Sequence, residues 1–126
     1  MPTYLLEEFV GACARGEVTV LGPALSTAPS DFQLATVTDV LEFIGYGGME
    51  NPEYLNSKLW MKNPNPPNLI FVDAYSFFSG PDYGYVAFMR GATGRWLLKS
   101  LKKNGEPPPN KFPPFLEQCK KAGLTK

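Results

Sequence analysis

The chain has 126 residues with twelve basic and twelve acidic side chains, so its formal net charge is zero. An apolar share of 44% over that length supports one domain with its own core and argues against disorder, while thirteen prolines and twelve glycines point to a loop-rich body. Histidine is absent, which excludes Ser-His-Asp and Cys-His nucleophile systems, His-ligated zinc and two-histidine ribonuclease chemistry.

Three further features of composition narrow the class. No run reaches the roughly 20 apolar residues that a spanning helix needs. The first residues, Met1 to Glu8, lack the basic head of a signal peptide, so a cytoplasmic protein without membrane partners is expected. Cys13 and Cys119 stand alone, and they read as reduced structural thiols rather than a disulfide or metal site. The charge is also unevenly spread. Residues 1–89 hold three basic against ten acidic side chains, and residues 90–126 hold nine against two. Such asymmetry fits either mutual neutralisation within one small fold or a basic face for an anion such as nucleic acid.

In chain order, Leu5, Leu6, Phe9, Val10 and Cys13 recur at helical spacing and predict a short amphipathic helix ended near Gly16. Glu17 to Leu21 reads as an extended piece stopped by Gly22-Pro23, and residues 24–30 as loop. A second helix, capped by Asp31 or Thr36, carries the stripe Leu34, Val37, Val40, Leu41 and Ile44. Asn51-Pro52 reads as a cap followed by first-turn proline, opening a short helix or turn through Trp60. Asn63 to Pro67 is a linker.

Residues 69–103 form the most legible stretch. Leu69–Phe78, Tyr83–Arg90 and Arg95–Lys103 are aromatic and branched, and they are separated by Ser79–Asp82 and Gly91–Gly94. They predict an antiparallel meander. Strict alternation in the last strand sets Trp96, Leu98, Ser100 and Lys102 on one side, with Arg95, Leu97, Lys99, Leu101 and Lys103 on the other. The class expected is α+β: an antiparallel three- to four-stranded sheet with N-terminal helices on one face. Residues 1–104 make the domain, and residues 105–126 make a proline-rich tail with a short docking helix near Phe115, Leu116 and Cys119.

The order of features is similar to that of the MqsR-type messenger-RNA interferases, toxins of bacterial toxin–antitoxin pairs with a RelE-like fold. The likeness spans about residues 4–104. It rests on the first helix, the Gly16-Glu17-Val18 step, the Val37–Gly45 helix, Glu53–Ser57, Val72–Tyr75, Gly84–Val86 and Lys99–Lys103. The resemblance implies RNA cleavage without metal or cofactor, by attack of a ribose 2′-OH on the adjacent phosphate, and neutralisation by an antitoxin. It makes Lys102 the foremost catalytic candidate, with Tyr85 or Tyr75 as the proton-moving tyrosine. Asp73 and Tyr75 match the family's Asp-x-Tyr. Lys58 stands near the family's lysine position, which falls on Asn56, while the glutamine and tyrosine positions fall on Val72 and Ala87. Arg90, Arg95, Lys99 and Lys103 are the candidate RNA-binding cations. The changed positions keep open a catalytically inactive binding module on the same scaffold, and Asp73 paired with Lys99 or Arg90 across the sheet is the structural alternative for that carboxylate.

Overall fold

The computed structural model describes residues 2–61 and 69–105. The linker at Asn63–Pro67, Cys119 and nearly all of the expected tail lie outside the described residues. The elements run α1 (Leu6–Ala14), β1 (Val18–Val20), α2 (Gly22–Phe32), α3 (Val37–Gly45), β2 (Glu50–Leu59), β3 (Phe71–Ser79), β4 (Asp82–Arg90) and β5 (Trp96–Lys103). The class is α+β, as expected. The sheet is larger and mixed rather than purely antiparallel: five strands in the order β1-β5-β4-β3-β2, with β1 parallel to β5.

The meander forms where the sequence predicts it. Ala74 faces Ala87, Tyr75 faces Val86 and Phe77 faces Gly84 between β3 and β4, and Tyr85 faces Lys102 between β4 and β5. Gly84 is required by close approach, because a Cβ there would lie 2.3 Å from the Phe77 ring. One face of the sheet is covered by the three helices. Phe9, Ala24, Ala28, Val40, Leu41 and Ile44 pack there against Phe77, Val86, Phe88, Leu98 and Leu101. Phe9 stacks on Phe88 with centroids 4.0 Å apart and planes within 4°. The opposite face carries a smaller cluster of Ile70, Val72, Ala74, Ala87 and Met89.

Three expectations are corrected. Residues 24–30 are not loop but the body of α2. Pro23 sits in its first turn, where a missing N–H costs nothing, and Ala24 and Ala28 are fully buried against the sheet. Its apolar stripe consists of alanines, which weigh little in any hydrophobic periodicity. The small residues let the helix approach β5 closely, so that Thr27 Oγ1 donates to the Leu101 carbonyl at 2.6 Å.

Residues 51–60 are not a short helix but most of β2. Asn51 takes the left-handed conformation at φ 46°, which asparagine tolerates, and Pro52 follows on an edge strand that can accommodate a missing donor. Pairing with the apolar run of β3 outweighs the local cap-and-proline signal. Register shifts fall between Glu50 and Glu53 and between Tyr54 and Asn56.

The alternation of β5 also breaks. Ala87 pairs with Ser100 and Phe88 with Leu98, so Lys99 is the extra residue of a bulge. Trp96, Leu98 and Leu101 therefore all join the helix-side core, a set that strict alternation divides. Lys102 stays opposite Tyr85, on the face away from the helices.

Candidate functional site on the open face of the sheet

The face away from the helices is built from alternate residues of four strands. Its register forms cross-sheet rows. Glu53, Ser76, Tyr85 and Lys102 make one, and Asn56, Ala74, Ala87 and Ser100 make the next. Lys58 faces Val72 beyond them. A groove of about 410 Å³ runs over this surface. Val72 and Ala74 contribute to its floor; Asn56, Lys58, Trp60 and Tyr85 line it from the β2 and β4 sides, and Lys99 lines it from the bulge.

Lys102 lies with its Nζ 5.3 Å from the centroid of the Tyr85 ring. A cation over a tyrosine face is attracted by the ring quadrupole, worth about 0.5–1 kcal/mol at an exposed site. Burial of the Tyr85 phenol raises its pKa above the ordinary tyrosine value, so at neutral pH it is a proton donor. The arrangement presents an ammonium and a phenol together, with Lys58 and Lys99 nearby. It suits an anion that also carries an apolar part.

The predicted site residues divide cleanly. Lys58, Tyr85, Lys99 and Lys102 share this face, as do Asn56, Val72 and Ala87. Tyr75 does not. It is buried on the helix side, stacked on Phe88 at 5.8 Å and edge-on to Tyr54 at 5.7 Å. Burial first, and the neighbouring Asp73 charge second, raise its pKa. Arg90 lies over the Trp96 ring at 4.5 Å, and Arg95 donates to Thr19 Oγ1 at 2.8 Å, each beside the β1–β5 edge. Lys103 sits 3.8 Å from the Asp82 carboxylate, with its backbone N–H on Asp31 Oδ2 at 2.9 Å. The candidate RNA-binding cations are thus dispersed over the fold: of Arg90, Arg95, Lys99 and Lys103, Lys99 alone lines the groove.

Asp73 makes no ion pair with Lys99 or Arg90. It is fully buried and accepts from the Tyr4 N–H at 2.9 Å and from the Ser57 hydroxyl at 2.6 Å. Ser57 has a single proton and gives it to the carboxylate, so the Tyr54 hydroxyl 2.7 Å away donates to Ser57. This chain of hydrogen bonds pins β2 to β3 immediately beside Asn56 and Lys58. Ser57 and Glu53 were legible only as part of a short segment; their positions follow from the β2 register, which sequence pattern alone misassigns.

Among the described residues no group of three or more His, Cys, Asp or Glu side chains is placed to hold a metal ion. No helix of the described residues is long and apolar enough to cross a membrane. No protein-family model, curated protein or solved structure matches the chain.

Proposed function

We propose that this protein is an RNA-binding, toxin-like endoribonuclease of the MqsR type, working on the open face of its sheet and held in check by a protein antitoxin. One observation carries the proposal: Lys102 over Tyr85, in a cross-sheet row that also contains Glu53. Cleavage by a neighbouring hydroxyl forms a bond from O2′ to phosphorus and breaks the bond from phosphorus to O5′. One group must take the 2′ proton, one must donate to the departing 5′ oxygen, and a cation must balance charge developing on the phosphate. In this proposal the Glu53 carboxylate accepts, the protonated Tyr85 phenol donates and Lys102 supplies the positive charge. Lys58 and Lys99 hold flanking phosphates.

A second reading is binding without cleavage, and the uncharged Asn56, Val72 and Ala87 on the same face favour it. Incubating a mixed-sequence RNA with the protein in EDTA, beside Lys102→Ala and Tyr85→Phe, separates the two. Metal-independent cutting that disappears in Lys102→Ala supports the ribonuclease. Binding without cutting selects the second reading, and absence of both overturns the RNA proposal.

A further inference from the structure

The groove beside the lysines has a floor that a phosphate-binding surface does not need. Ala74 and Ala87 face each other across β3 and β4, and Val72 lies next to Ala74 on the same side. Val72 and the small Ala74 side chain form the apolar floor between Trp60 and Tyr85, and the depression measures about 410 Å³. That volume falls within the ~300–1,000 Å³ range of sites that take small organic groups. The floor is apolar, while Lys58 and Lys99 stand at its border together with one side-chain amide, Asn56. Among the described residues no acidic side chain lines it.

The geometry points to a nucleobase subsite: one unstacked base of a single-stranded RNA lies on Val72 and Ala74 beside Trp60, with Asn56 at its edge. The inference rests on the RNA reading above and adds where a base, as distinct from a phosphate, is held. A base is apolar on its two faces and polar around its rim, which matches an apolar floor with an amide at the side. Aromatic walls give sequence-tolerant affinity, and an amide with both donor and acceptor supplies discrimination along a base edge. Lys58 and Lys99 are placed for the phosphates on either side of that nucleotide. An apolar side chain of a protein partner also fits a greasy groove, but a border charged by Lys58 and Lys99, with no acidic side chain lining it among the described residues, favours a polyanion.

The test uses a fluorescent single-stranded 2′-O-methyl RNA heptamer, which lacks the attacking hydroxyl, and a matched heptamer whose residues are abasic. Anisotropy titrations in EDTA compare the intact protein with Ala74→Leu, which fills the floor, and with Asn56→Ala. The parent protein is expected to bind the base-bearing oligomer at least about tenfold more tightly than the abasic one. Ala74→Leu should bring the two affinities together, and Asn56→Ala should compress the differences among A, C, G and U heptamers. Should circular dichroism show Ala74→Leu misfolded, Trp60→Ala removes a wall from outside the sheet and carries the same expectation. Equal binding of base-bearing and abasic oligomers by the parent overturns the subsite while leaving the RNA reading intact. Failure of both oligomers to bind overturns the RNA reading, and the subsite with it.

Discussion

The Ser57 hydroxyl donates to a fully buried Asp73 carboxylate at 2.6 Å, and the same carboxylate holds the Tyr4 N–H at 2.9 Å. One side chain thereby ties the chain's N-terminal end, the edge strand β2 and the adjoining interior strand β3 together. A buried charge without a cation is tolerated only while its hydrogen bonds are made. Ser57→Ala removes one donor and is expected to cost about 1–3 kcal/mol. Asp73→Asn turns an acceptor-only group into one that presents N–H toward existing donors, and should cost at least as much. Urea denaturation of the two variants checks both, and an unchanged midpoint for Ser57→Ala would show that the contact contributes nothing net.

Gly84 and Phe77 form a second obligatory pair, the ring lying across the glycine of the facing strand. Gly84→Ala should destabilise by about 1–3 kcal/mol through overpacking. Phe77→Leu costs stability alone, yet in the double variant the smaller side chain should recover part of the Gly84→Ala loss. A double-mutant cycle measures that coupling, and simple additivity would refute the close approach.

Helix α2 depends on its small buried face and on Thr27. Thr27→Val deletes the hydroxyl that reaches the Leu101 carbonyl and should cost about 1 kcal/mol. Ala28→Leu inserts a bulky side chain where the alanine is fully buried, and is expected to cost about 1–3 kcal/mol. Thermal melts of the two variants provide the comparison.

Alkaline pH should destabilise the fold by a route traceable to one thiol. Burial pushes Cys13 up to about 12 from an ordinary value of 9.0. Between those values the unfolded chain loses a proton that the folded chain retains, so stability falls as pH rises, by at most about 1.4 kcal/mol per pH unit from this group. The buried Tyr75 and the half-buried Tyr4 and Tyr85 are shifted upward as well and add to the decline above pH 10. Cys13→Ala should flatten the stability profile from pH 9 upward, measured by denaturant midpoints at successive pH values. A profile identical to the parent's would remove the thiol from the account.

The dispersal of the cations predicts unequal effects on RNA binding. Lys58→Ala, Lys99→Ala and Lys102→Ala should each weaken binding and lower the salt dependence by about one phosphate contact. Arg90→Ala, Arg95→Ala and Lys103→Ala, whose side chains are engaged elsewhere, should leave the salt slope unchanged. Affinity measured across a salt series decides; a uniform effect over all six would show that RNA contact is not confined to the open face of the sheet.

Sequence pattern by itself determined α1, α3 and the meander. In each of these, local signals agree with the final packing. Thr36 caps α3 by accepting from the Asp39 N–H at 3.0 Å, its apolar stripe repeats at helical spacing, and short turns join strands that are neighbours in sequence. The pairing of Tyr85 with Lys102 was within reach for the same reason, since adjacent antiparallel strands share a register set by their turn. What only tertiary structure decided lies where distant segments meet. Val18–Val20 becomes a strand by lying parallel to Trp96–Leu98, far away in sequence. Residues 50–59 become β2 because β3 offers a long apolar edge, against their own cap-and-proline signal. The alanine face of α2 is legible only once β5 is beside it. The groove shares that origin: Lys58 from β2, Ala74 from β3, Tyr85 from β4 and Lys99 from a bulge in β5 converge through backbone pairing. No spacing within a single segment encodes that convergence.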